Sequence, residues 1–168
     1  MTRPTLASLE VRQPYLSIVY SKIPGEAAWT QLDQGKVVTP NASAEQKEYR
    51  RIGDQNVTKV GGAVTNDITV QLYVEQNWAE IAHVLGYARP GGGWAGTENI
   101  QLDPTRYVDL KIENYDGLTT AAAIKSIEYI NRFNPQTLSP SLDADGDART
   151  ADVSGSAAAY YIIPTAGT

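Results

Sequence analysis

One histidine and no cysteine stand among the 168 residues. The missing cysteines remove disulfides, thiolate metal sites and cysteine nucleophiles together. A lone histidine cannot build the usual zinc sites, and no His-Glu-x-x-His pattern surrounds it. His83 lies between Ile81, Ala82, Val84 and Leu85, so its setting reads as that of a packed or surface residue. Carboxylates remain the one abundant reactive type: Asp54, Asp67, Glu75, Glu80, Asp103, Asp109, Glu113 and Asp116. Glycoside chemistry needs two of them facing each other across a cleft, and no spacing selects a pair. Asp143-Ala144-Asp145-Gly146-Asp147 opens like a calcium loop, but Ala148 stands where such a loop needs glycine and Ser154 where it needs glutamate. Gly91-Gly92-Gly93-Trp94-Ala95-Gly96 lacks the Gly-Lys-Ser/Thr ending of a phosphate loop. The expectation is no catalytic residue, no bound cofactor and no metal. The triplets Asn41-Ala42-Ser43 and Asn56-Val57-Thr58 match glycosylation acceptors, but such triplets carry no weight without secretion.

Charge narrows the partners. Fourteen basic and nineteen acidic residues give a net charge of -5. Gripping nucleic acid needs clustered lysine and arginine, and Arg50-Arg51 is the only basic doublet. An acidic surface suits a wall past which DNA slides without sticking. With 42% hydrophobic and 20% charged residues the composition is globular, and the length fits one domain spanning 1–168. No apolar run approaches the roughly 20 residues a membrane span needs. The N-terminus shows no apolar signal region, which points to synthesis and retention in a cytosol.

The elements that must position these residues are mostly strands. Val11–Tyr20 is rich in β-branched and aromatic residues, with Pro14 fit for an edge. Ile23-Pro24-Gly25-Glu26 is a turn. From Asp33 to Lys47 the chain is polar and reads as a long loop, with Val37-Val38 a short strand at a hairpin tip. A strand resumes at Glu48, and Val60-Gly61-Gly62 is a break. Asn66–Val74 alternates cleanly, Ile68, Val70, Leu72 and Val74 against polar neighbours. One helix is expected over Asn77–Leu85, capped by Asn77 with Glu80 and stopped by Gly86, with Trp78, Ile81, Ala82 and Leu85 packing on the sheet. Arg106–Glu113 is a strand turned by Asn114–Gly117. Thr119–Phe133 fits helix or strand; the strand reading is taken for Lys125–Phe133, with Pro135 ending it. Val153–Ile163 is a last strand closed by Pro164. The sum is a mainly antiparallel β-sandwich or partial barrel with one short flanking helix.

Several segments together resemble a known family. Glu48-Tyr49-Arg50-Arg51-Ile52-Gly53-Asp54, a strand, then Gln76-Asn77-Trp78-Ala79-Glu80-Ile81-Ala82-His83-Val84-Leu85-Gly86 is similar to the tail tube protein (major tail protein) of tailed bacteriophages. Arg132-Phe133-Asn134-Pro135, the acidic turn and Ser154–Ala158 leading into an aromatic strand extend the likeness from about Val11 to Pro164. The resemblance implies a structural virion protein made in the host bacterial cytoplasm. Six copies close into a ring whose inner sheets join, and rings stack into the channel for genome ejection. Partners are then further copies, a tape measure, a tip or baseplate and, in contractile tails, a sheath, with DNA only transient in the lumen and no membrane insertion. The polar loop becomes the contact to the next ring, with Gly35, Lys36, Val37, Val38, Thr39, Asn41 and Glu45 as its candidates. Deleting Thr39–Glu45 is expected to spare the fold and block stacking. The tubes of bacterial injection machines share the fold.

Two other classes compete. A β-sandwich carbohydrate- or receptor-binding module would use Trp29, Trp94 and the ten tyrosines as stacking surfaces. An enzyme would need the carboxylate pair that the sequence does not single out.

Overall fold

Period-two alternation governs most of the chain, because a strand with one buried face must place apolar residues at every second position. In the computed structural model, residues 17–32, 35–50, 57–74, 78–88, 99–117, 123–141 and 149–165 are described. They form β1 (Ser17–Lys22), β2 (Thr30–Gln31), β3 (Gly35–Arg50), β4 (Val57–Tyr73), α1 (Ala79–Val84), β5 (Val108–Tyr115), β6 (Ile124–Ser141), β7 (Thr150–Ala157) and β8 (Ala159–Pro164). All pairings between them are antiparallel.

The strand order is β2-β1-β5-β6-β7-β4-β3, with β8 also on β6. The 18-residue β6 belongs to two halves of this sheet. Its first half pairs with β5 and β8, giving an outer group β2-β1-β5-β6-β8. Its second half pairs with β7, giving a four-stranded group β6-β7-β4-β3. The sheet does not close into a barrel. One core lies between the halves: Leu110, Ile130 and Phe133 from the first, Ile68, Val70, Leu72 and Val153 from the second, and Ile81, Val84 and Leu85 from the helix.

The helix ends as its sequence dictates. Gly86 takes φ +86, Gly86 N–H donates to the His83 carbonyl (3.0 Å) and Tyr87 N–H to the Ala82 carbonyl (2.9 Å). That pair of bonds is the Schellman arrangement, which needs a left-handed residue at Gly86. The helix start differs from expectation. Trp78, not Asn77, occupies the cap position, at φ 54 and with no side-chain cap bond, and Asn77 lies outside the described residues. The Ile23–Glu26 turn forms as read, with Gly25 at φ 93 and a Glu26 N–H bond to the Ile23 carbonyl of 3.1 Å.

The expected loop over 33–47 is corrected: Gly35–Arg50 is strand β3, paired with β4 along its length. Asn41–Gln46 is exposed, so the segment lacks the apolar alternation that marks a half-buried strand. Deleting Thr39–Glu45 would therefore excise an odd number of strand residues and turn the remaining side chains to the opposite face. Gly61-Gly62 is not a break. A bulge between Ala44 and Gln46 brings Glu45 against Gly62, where an added Cβ would sit 2.8 Å from the Glu45 Cβ and carbonyl oxygen. Pro135 does not end β6, because it stands at a register shift against β7 between Pro135 and Thr137, where the ladder is interrupted and a residue without an N–H is tolerated. The ambiguous segment is strand from Ile124 onward, and the last expected strand is two, β7 and β8, parted only at Ala158. The expected turn at Asn114–Gly117 starts later, since Asn114 and Tyr115 still pair in β5.

Candidate functional site

The most chemistry-like group joins β1, its turn and the helix. His83 Nδ1 lies 2.6 Å from the Ser21 hydroxyl, and its Nε2 lies 3.2 Å from each oxygen of Glu26. Serine, imidazole and carboxylate in a row is the order of an acyl-transfer triad. Accessibility decides against that use: Ser21 is fully buried and His83 is 4% exposed, so no substrate carbonyl can reach the hydroxyl. Glu26 also accepts the Ile23 N–H at 2.9 Å. The group acts as a strut that satisfies three polar groups while holding the helix to β1. Sequence reading left His83 as a packed or surface residue, and the structure packs it; it had no signal for Ser21 or Glu26, which are 62 and 57 positions away.

Arg106 closes the helix end beside it. Its Nη1 donates to the Gly86 carbonyl at 2.9 Å, and its guanidinium stacks 4.1 Å from the Tyr87 ring centroid. A cation on the last carbonyls also suits the helix dipole. Ile23, Pro24, Gly86, Thr105, Arg106 and Tyr107 line an open depression of about 230 Å³ there, small beside the roughly 300–1,000 Å³ of typical ligand sites. No cluster of three potential metal ligands occurs among the described residues.

The two outward faces of the molecule differ sharply. On the four-stranded half, side chains aligned across the strands are polar. One row is Thr39, Thr69, Ser154 and Thr137; the next includes Gln71, Asp152 and Ser139; another includes Asn41, Asp67 and Ser156. They bond one another: Thr69 to Ser154 at 3.2 Å, the Gln71 amide donating to Asp152 at 2.7 Å, and Ser43 to Thr65 at 2.7 Å. Asp67 and Asp152 are the charges in these rows, and no lysine or arginine stands among them.

On the other half, the outward face is aromatic and aliphatic. Tyr20, Lys111, Tyr129 and Tyr161 stand opposite one another across β1, β5, β6 and β8, and Ile18, Glu113, Ile127 and Ile163 form the adjacent row. Tyr129 stacks on Tyr161 at 5.4 Å and meets Trp29 at 6.4 Å, while Lys111 sits 4.4 Å over Tyr20 and pairs with Glu113 at 2.7 Å. Burial disfavours the Glu113 anion, yet hydrogen bonds from Lys111 and Tyr115 hold its carboxyl below the usual range. The Glu113 bond in turn pushes the Tyr115 phenol up to about 12. On the inner side, burial and a 2.8 Å bond to Glu128 push Tyr160 up to about 12.

The residues singled out for ring contact fall on β3. Thr39, Asn41 and Glu45 are exposed, Val38 packs partly on the core, and Gly35 and Val37 pair with Leu72 and Gln71. Lys36 lies between them in the strand. Ile81, Ala82 and Leu85 are buried and Trp78 packs against the core cluster. Trp94, the glycine-rich segment and Asp143–Asp147 lie outside the described residues.

No family model and no curated protein matches the chain. Solved structures do. A chain of the sheath–tube complex of an extracellular contractile injection system (PVC) in its extended state superposes with a TM-score of 0.62 at 17% identity, covering 97% of this chain and 100% of that one. A chain of the anti-feeding prophage baseplate gives 0.58 at 10% identity, covering 98% of each. A chain of the tail of an empty GTA particle gives 0.52 at 10% identity, with 89% and 95% covered. The fold is tail-tube-like, and it is shared over nearly the full length of both chains.

Proposed function

We propose that this chain is a structural subunit of a phage-type tail tube. Copies close into hexameric rings, and stacked rings form the channel through which a genome is ejected. The observation that carries this reading is the four-stranded group β6-β7-β4-β3, whose described outward rows from Asp67 to Gln71 are polar and hold no lysine or arginine, and which is free at both edges among the described residues. An even number of antiparallel strands lets β3 of one copy lie beside the second half of β6 in the next with the alternation unbroken. Closure of that kind also hides two strand edges that would otherwise invite aggregation.

The dimensions are consistent. With strands about 4.8 Å apart, four strands give each copy an arc of roughly 19 Å and six copies a circumference of roughly 115 Å, wider once the strands tilt. A bore of that size, between backbones, has room for a nucleic-acid duplex; a three-copy ring, with half the circumference, does not. The acidic rows of Asp67 and Asp152 then face the lumen, where they repel a polyanion rather than hold it.

The β3–β4 hairpin supplies the ring-to-ring contact. Beyond Asn66 it is a two-stranded arm, paired with no other strand among the described residues, and Ser43–Gln46 with Ala63–Thr65 are exposed on it. A lone two-stranded ribbon is marginal in water and gains from a partner. Of the residues expected to make this contact, Glu45 lies on the arm; Gly35, Lys36, Val37, Val38, Thr39 and Asn41 are strand residues on the stretch of β3 that belongs to the four-stranded wall. Terminator, baseplate, tape-measure or sheath proteins are the further partners, in a particle assembled in the host cytoplasm. No catalysis, cofactor or membrane insertion enters this role.

A carbohydrate-binding module would present aromatic rings flat to solvent. Trp29, Tyr129 and Tyr161 instead pack on each other, which disfavours that second reading. Electron microscopy of the purified protein at rising concentration tests the proposal. Hollow rings or tubes of uniform width support it. A monomer that persists at high concentration and binds glycans with saturable affinity refutes it.

A further inference from the structure

Strand β8 is apolar on more sides than a lone molecule tolerates. Tyr161 and Ile163 project from one face at 43% and 46% exposure, and Ile162 from the other at 53%. Its far edge pairs with nothing among the described residues. The stretch Ala157–Thr165 carries no charge, so it lacks the usual protection of an exposed edge.

The neighbouring geometry leaves a gap on the same flank. β4 pairs with β7 as far as Asn66 opposite Ala157, and both chains run on from there, β7 into β8 and β4 into the arm. Yet β8 bonds only to β6, and the arm of β4 only to β3. Val64 on the arm is 63% exposed. Ile162 on β8 and Val64 on the arm are thus exposed aliphatic residues on two strands that have no common partner among the described residues.

We infer that β8 is a seam covered by a second copy of this chain, which joins the outer groups of adjacent subunits. The inference rests on the ring reading. The edge of β3 and the edge of β8 both lie on the β7 side of β6, so the copy that meets β3 also arrives at β8. That copy presents the margin of its own β1. β1 is antiparallel to β5, and β5 and β8 are each antiparallel to β6, so β1 meets β8 in the antiparallel sense. Ile18 stands at this margin in the row that ends at Ile163, so the apolar row continues from one copy into the next. β2 pairs with Tyr20 and Ser21, the Leu32 N–H bonds the Val19 carbonyl, and no strand among the described residues pairs with Ile18 on that edge.

The test is hydrogen exchange of assembled against dissociated wild-type protein, with Ile163→Lys as the variant. Amides of Ala159–Ile163 should gain at least tenfold protection on assembly. The variant should keep the wild-type circular dichroism and melting temperature, because Ile163 is exposed, yet need at least tenfold higher concentration to assemble. Tubes whose β8 amides exchange as fast as in the monomer would overturn the seam and leave the ring reading intact. So would an Ile163→Lys protein that assembles like wild type. A wild-type chain that stays monomeric at every concentration overturns both.

Discussion

Replacing Ser21 by alanine tests whether the Ser21–His83–Glu26 group is a strut. The hydroxyl is fully buried and 2.6 Å from His83 Nδ1. With Nε2–H donating to Glu26, Nδ1 accepts from Ser21, so the substitution leaves a buried lone pair without a partner. Such orphaning costs about 1–3 kcal/mol, equivalent to a loss of roughly 2–12 °C in melting temperature for a chain of this length. His83→Leu costs a similar amount by orphaning the serine hydroxyl instead. The double substitution removes both partners, so it should cost less than the sum of the singles, with a coupling of about 0.5–3 kcal/mol. Urea unfolding of the four proteins under one buffer measures the cycle. A Ser21→Ala change within about 0.5 kcal/mol of wild type, or strict additivity in the double variant, refutes the strut, since that is the behaviour of an unremarkable surface site.

Other outcomes follow from the packing. Gly155→Ala should lower stability by about 2–3 kcal/mol, because an added Cβ collides with the Asn134 carbonyl and approaches the Phe133 ring to 3.0 Å; a melting temperature unchanged within about 2 °C would show that β6 and β7 are not so close. Tyr115 and Tyr160 are both held up at about 12. A phenol whose folded value is raised contributes stability that is complete below its ordinary value near 10 and lost as pH rises through about 12. Absorbance titration should therefore show at least two late tyrosines whose ionisation tracks unfolding, and Tyr160→Phe should flatten that limb; phenols that all titrate together near 10 would contradict the bonds to Glu113 and Glu128. In assembled tubes, Thr69→Cys should react with a small maleimide but not with one carried on a large polymer, and equal reaction with both would place the polar face outside.

How far the sequence reveals the structure depends on what each segment buries. Asn66–Val74 and Arg106–Glu113 alternate because one face meets the core and the other water, and they appear as strands almost where expected. Gly86 stops the helix as its type demands. The failures share a cause. β3 is exposed over Asn41–Gln46, so no core imposes a period on it, and its strand identity comes wholly from pairing with β4. Pro135 suggests a stop, but β6 carries it at a register shift against β7, where the ladder is already interrupted. The strut was illegible for another reason: Ser21, Glu26 and His83 are brought together by the helix crossing onto β1, and no local spacing encodes that contact.

The two outward faces bear most directly on function. A β-sandwich that lives alone needs only one kind of outside, charged and mixed in sign. Here one outside holds hydroxyls, amides and two aspartates without a cation in its rows, and the other holds an aromatic row ending in an uncharged, exposed strand. The first is a surface that avoids holding a polyanion; the second is a surface that gains from being covered. A subunit repeated around an axis needs that asymmetry, since its inner wall must stay wet and unadhesive while its flanks bury apolar area against identical neighbours. Charge reversal separates these duties. Asp152→Lys leaves every flank residue in place, so it should leave tube formation unchanged while making the bore retain DNA in a salt-dependent way. If the same substitution abolished assembly, Asp152 would belong to a seam, and the division of labour between the faces would have to be redrawn.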